Sequence, residues 1–188
     1  MLLLLMSSTA YSITLDFSPS SSNVTVGDTF DVELTISGLA DFSADSLGAF
    51  DIDVLFDSSV LGFNGIAYGD PILGDQLDPF NLGSLTATTP SASSVNLFQV
   101  SFDLASDLNS LQVGSFTLAT LTFDALAAGS SFLDFGAYTL SDAFGSALTA
   151  NNSQGSVNVG VASVPESSSL ILMSFALFGL VALGKKRS

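Results

Sequence analysis

The sequence predicts an all-β sandwich, and three observations carry that prediction. Apolar and polar residues alternate with period two in four stretches of the chain. Turn-forming groups punctuate them at short intervals: Gly27-Asp28, Ser37-Gly38, Tyr68-Gly69-Asp70-Pro71, Thr89-Pro90-Ser91, Ala128-Gly129-Ser130 and Phe144-Gly145-Ser146. No stretch of the body sustains a 3.6-residue period. About nine or ten short strands are expected, with carboxylates on the wet side of antiparallel sheets packed face to face.

The chain opens with the apolar run Leu2–Met6 and then small residues, and Ala10-Tyr11-Ser12 sets Ala and Ser where signal peptidase needs them. Residues 1–12 therefore read as a signal peptide cut before Ile13. No Lys or Arg precedes its short apolar run, so its true start is expected upstream of Met1.

The first alternating stretch sets Phe30, Val32, Leu34 and Ile36 on one face and Asp31, Glu33 and Thr35 on the other. The second sets Phe50, Ile52, Val54 and Phe56 against Asp51 and Asp53. The same spacing returns in Phe98, Val100 and Phe102, and in Val157, Val159 and Val161. These four rows are the expected core faces. Phe63, Tyr68 and Phe80 fall outside the rows and are candidate stacking groups for sugar, with core packing as their other use.

Charge and composition restrict the chemistry. Asp and Glu number 18 against 3 Lys plus Arg, for a net charge of −15, and every carboxylate except Glu166 lies between Ile13 and Ser163, where there is no cation. Such a body repels nucleic acid and anionic lipid, which excludes nucleic-acid binding. A hydrophobic fraction of 47% with 16 Phe supplies the core of one domain. Cys, His and Trp are absent. No disulfide, thiolate metal site, Ser-His-Asp, Cys-His, Ser-Lys or Schiff-base arrangement can be built. Only paired carboxylates remain for acid–base work, without the Trp platforms of sugar enzymes, and the chain reads as non-enzymatic. Calcium is the one cofactor to consider: Gly69–Asp78 places Asp70, Asp75 and Asp78 in one loop as hard oxygen donors, though not at EF-hand spacing.

At the far end, Leu170–Gly184 runs 15 residues without a charge, about 22 Å as a helix. Ser167–Ser169 can lengthen it to a single transmembrane helix over about 168–184. Lys185, Lys186 and Arg187, the only basic residues of the chain, form its stop signal. The positive-inside rule leaves the cluster cytoplasmic and the body outside.

Two resemblances follow from these residues. Val164-Pro165-Glu166, the apolar segment and the basic triplet, in that order over 162–188, resemble a PEP-CTERM sorting signal, with Ser167 in place of the usual second proline. That resemblance implies processing near Val164–Glu166 by an exosortase, a membrane-embedded cysteine protease or transpeptidase of Gram-negative bacteria that make exopolysaccharide. Pro165 would break the helix and leave the motif extended at the membrane surface. Delivery to the cell surface or extracellular matrix is then expected, with a permanent membrane anchor as the alternative.

The body, residues 13–161, resembles a cohesin-like domain, a jelly-roll sandwich related to carbohydrate-binding modules. Thr25–Val32 is similar to the family's approach to its second strand. Gly48–Asp57 with Val60-Leu61 is similar to its Y-D-P-x-V-L segment, with Phe56 for Tyr and Ser58 for Pro. Leu118–Phe123 is similar to its penultimate strand region and Gly155–Val159 to its closing strand. The resemblance implies a sandwich of about nine strands that binds polysaccharide or a surface protein, or a cohesin module that docks a dockerin-bearing partner.

Overall fold

A computed structural model describes residues 12–19 and 23–161 of the chain. The sorting motif Val164, Pro165 and Glu166, the basic triplet, the expected transmembrane helix and nearly all of the expected signal peptide lie outside the described residues.

Nine strands of six or more residues form the framework: β1 (Ile13–Pro19), β3 (Thr29–Ser37), β4 (Leu47–Leu55), β5 (Leu61–Tyr68), β6 (Ser84–Pro90), β7 (Ser94–Ser101), β8 (Phe116–Ala125), β9 (Gly129–Asp142) and β12 (Gly155–Gly160). Three short strands, β2 (Asn23–Thr25), β10 (Ala147–Leu148) and β11 (Ala150–Asn152), and one helix, α1 (Ala105–Leu111), complete the described residues. One sheet runs β11-β1-β3-β8-β5; the other runs β2-β12-β9-β4-β7-β6, with β10 added against β9. The turn residues do what their chemistry predicts: Gly27, Gly38, Gly69 and Gly145 all take positive φ.

The two sheets bury their facing rows against each other. Phe30, Val32, Leu34 and Ile36 of β3 are buried, as are Phe50, Ile52 and Val54 of β4 with Phe56 just beyond it. Phe123 of β8 is the aromatic hub of this core. Its ring lies 5.2 Å from Phe56 and 5.9 Å from Phe63, both edge-on, and 6.1 Å from Phe30. Phe17 of β1 stacks on Phe135 of β9 at 4.4 Å and ties the sheets together near their other margin.

Four expectations change. β7 turns its other parity inward: Val95, Leu97 and Gln99 are buried, while Phe98 and Val100 face out and Phe102, beyond the strand, is 62% exposed. Both parities of β7 carry apolar side chains, so its pairing with β4, Ile52 opposite Leu97, decides the matter. Val157 and Val159 are buried as the alternation requires, but Val161 lies past the end of β12 and is exposed. Leu118–Phe123 is not a penultimate strand, because the 14-residue β9 and three more strands follow β8. Helix α1 escapes periodicity because its seven residues give less than two full turns.

Candidate docking face

The outer surface of β9, β4, β7 and β6 is a grid set by strand register. Its first row reads Ser141, Ala49, Val100 and Leu85; the second reads Thr139, Asp51, Phe98 and Ala87. Across β4, β7 and β6 the third row reads Asp53, Asn96 and Thr89. The surface thus grades from apolar to acidic along the strands. Ala49, Asp51, Phe98, Thr139 and Ser141 frame a shallow depression of about 190 Å³ at its centre.

The acidic end is held by an amide. Asn96 Nδ2 donates to Asp51 Oδ1 at 2.7 Å and to Asp53 Oδ1 at 2.9 Å. With no Lys, Arg or His in the body, a neutral amide is the strongest clamp this sequence can offer. Beside them β9 has Gly136, where a Cβ would fall 2.9 Å from the Asp53 Cβ, so only glycine lets the strands approach here.

The apolar end continues beyond the sheet. Leu85 pairs with Val100 and is 53% exposed, and the exposed Phe102 lies two residues beyond Val100 in the chain. The loop between β5 and β6 adds exposed Phe80 and Leu82. This loop is pinned from several sides. Gln112, wholly buried after α1, accepts from the Leu47 N–H at 2.6 Å and donates to the carbonyls of Leu47 and Gln76. Buried Gln99 donates to Asp75 Oδ2 at 2.5 Å and to Ser84 Oγ at 3.0 Å. The apolar loop side chains are therefore presented on a fixed frame.

The three aspartates of this loop, the expected calcium donors, each bind backbone N–H groups. Asp70 Oδ1 accepts the N–H groups of Ile72 and Leu73, both at 2.8 Å, and its Oδ2 accepts that of Thr117 at 2.9 Å. Asp75 Oδ1 accepts the Leu77 N–H, and both oxygens of Asp78 accept that of Gly83. Each carboxylate holds nearby backbone, Asp70 reaches β8 and Asp75 reaches Gln99 as well, and among the described residues no three acidic side chains group as metal ligands. Burial raises the Asp70 carboxyl, but the Thr117, Leu73 and Ile72 N–H groups and the Thr117 hydroxyl together pull it below its ordinary value. Asp103 is the opposite case. Neither side-chain oxygen has a close hydrogen-bond partner, and burial, then Asp78, push its carboxyl up, helped by Asp107 and Asp75 and opposed by the Phe80 N–H.

The three expected stacking residues separate. Phe63 packs against Phe123 in the core. Tyr68 lies over Phe50, and its hydroxyl donates to the Ala87 carbonyl at 2.6 Å, bridging the two sheets. Burial raises its phenol, with Thr88 and Phe98 hydrogen bonds acting against that. Phe80 alone stays exposed. Composition missed the docking face because Phe98 and Val100 read as core; the signal available was that Val95 and Leu97 offered β7 an equally apolar opposite parity.

No family model matches the sequence, and no curated protein matches it. Solved structures do match the fold. A non-cellulosomal cohesin from Archaeoglobus fulgidus superposes with a TM-score of 0.59 at 15% identity, over 81% of this chain and 94% of its own. The seventh ScaB type I cohesin of Pseudobacteroides cellulosolvens gives 0.62 at 15%, over 82% and 96%. The match to the Coh-OlpC–Doc435 type I cohesin–dockerin complex of Clostridium thermocellum gives 0.61 at 17%, over 84% and 99%. At these identities the likeness is one of architecture: the body of this chain has the cohesin fold.

Proposed function

We propose that the sandwich is a non-enzymatic docking module whose outer β9-β4-β7-β6 face takes a protein partner, with a dockerin-like module as the partner class. One observation carries this reading. A rigid strip of Phe98, Val100, Leu85 and Phe102 lies outside the core of an otherwise acidic body, directly beside the Asp51–Asn96–Asp53 clamp. An apolar patch rimmed by charge is the common form of a protein contact surface. The cohesin–dockerin complexes among the structures of like fold support the partner class. The fitting partner seats an apolar side chain on Phe98 and Val100 and brings Lys or Arg to Asp51 and Asp53.

Calorimetric titration of the full chain with a panel of purified dockerin domains tests this. Binding of at least one domain should weaken about 100-fold in Phe98→Asp, because a charge would be desolvated at the contact centre. Binding insensitive to Phe98→Asp, or none across the panel, would overturn the reading.

Export follows as part of the same proposal. The module is carried out of a Gram-negative cell, held by the C-terminal helix, and cut near Val164–Glu166 by an exosortase. It then acts at the surface or in the matrix. Mass spectrometry of the mature protein should find a C-terminus near those residues; recovery of Lys185–Arg187 on surface protein would favour the permanent anchor.

A further inference from the structure

Beyond the docking face, the far end of the same sheet holds a second constellation. Phe132 of β9 points outward and is 60% exposed, and no other ring stacks on it among the described residues. Its own strand sets Ser130 and Asp134 on either side, and β12 pairs Ser156 directly opposite. Leu55 pairs with Asp134 from the β4 side. Leu55, Asp57, Ser130, Phe132, Asp134 and Gln154 line a cleft of about 310 Å³. It is a flat apolar ring surrounded by polar groups, and its chemistry differs from that of the docking face.

The polar groups are prearranged, and acceptors dominate. Asp134 Oδ1 accepts the Phe135 N–H at 2.8 Å, and its Oδ2 accepts Gln154 Nε2 at 3.0 Å, which holds the Gln154 amide at the rim with its carbonyl oxygen free. Asp57 Oδ1 takes the Ser59 hydroxyl and N–H, and the Ser59 hydroxyl foremost keeps its carboxyl below the ordinary range. Its second oxygen stays available. Buried Ser131 accepts the Asp57 N–H at 3.0 Å and donates to the Phe132 carbonyl at 3.1 Å, tying the two sides of the cleft. Ser130 donates to Asn158, which fixes one more rim group.

We propose that this cleft is a saccharide subsite, with the Phe132 ring as platform for the C–H face of a pyranose. The carboxylates of Asp57 and Asp134 and the Gln154 carbonyl accept its hydroxyl and amine protons. Acceptors outnumber donors, and two carboxylates sit in a body with no cation, so the fitting polymer is rich in hydroxyls and amines and free of carboxylate. Glucosamine oligomers meet this description, and uronic acid oligomers are repelled. Nothing in this assignment depends on the docking face.

Calorimetry on the full chain with glucosamine hexamer and an alginate hexamer is the test. Glucosamine hexamer should bind and alginate should not. Phe132→Ala should weaken binding about tenfold, the loss expected of one stacking platform, while Phe98→Asp leaves it unchanged. The exposure of Phe132 makes its variant safe for folding, and an unchanged melting temperature confirms that. Attraction of a polycation to the acidic body alone would be indifferent to Phe132, so unaltered binding by Phe132→Ala overturns the proposal. Alginate binding as tight as glucosamine binding, or no binding of either, overturns it too.

Discussion

The two outer faces of the sandwich solve the same problem in opposite ways. Outside β1, β3, β8 and β5 the side chains satisfy one another: Thr29 donates to Asp124 at 2.6 Å, Asn64 to the same carboxylate at 3.1 Å, and Thr122 to Asp31 at 2.8 Å. Polar pairs dominate that surface, and its exposed apolar groups, Ala67 of β5 and Leu126 just past β8, form no row. Outside β9, β4, β7 and β6 the sequence leaves Phe98, Val100 and Leu85 beside Asp51 and Asp53, which Asn96 clamps. Hydroxyl and amide donors neutralise neither face in charge, so the difference lies in unburied apolar area. The second face gains from a partner and the first does not.

This contrast can be broken at several places. The largest effect belongs to the parity of β7. Leu97→Ala should cost about 3 kcal/mol in chemical denaturation, because Leu97 is wholly buried, whereas Phe98→Ala should cost under about 1 kcal/mol. Equal losses would return Phe98 to the core and remove the docking face.

Next comes the loop that carries the apolar end. Asp70→Ala frees three backbone N–H groups and should cost about 2 kcal/mol at neutral pH. The folded Asp70 carboxyl titrates below its ordinary value of 3.8, so its stabilisation is present above that value and fades as pH falls through the folded one. The difference between wild type and variant should therefore close in acid.

Asp103 has the reverse sign. Its folded carboxyl titrates above 3.8, so wild type loses stability as pH rises from 3.8 through the folded value. Asp103→Asn should gain stability at pH 7, and the gain should vanish as pH falls below 3.8, measured by thermal melts across pH. The smallest effect lies on the polar face. Thr122→Val should change stability by under about 0.5 kcal/mol and leave partner and saccharide binding alone.

Much of this was legible in the residues and some was not. The rows of β3 and β4 point inward because each has an apolar parity and a charged one, and no register can exchange them cheaply. The backbone N–H groups bound by the three carboxylates of the aspartate loop were not legible, because spacing in sequence does not say which way each side chain turns. Phe132 gave no sequence signal because Leu133 and Leu55 are equally apolar neighbours, and only pairing shows which parity of β9 faces out.

By itself, then, the sequence determined the sandwich, the inward rows of β3 and β4, and the lack of any Cys, His or Trp. These follow from period-two alternation and from residue types that are absent. The tertiary structure alone decided that Phe98 and Val100 face solvent, that Gln99 is buried, and that Phe132 stands among Asp57, Asp134 and Gln154. A strand apolar on both parities contains no information about its own orientation; its neighbours supply it through register.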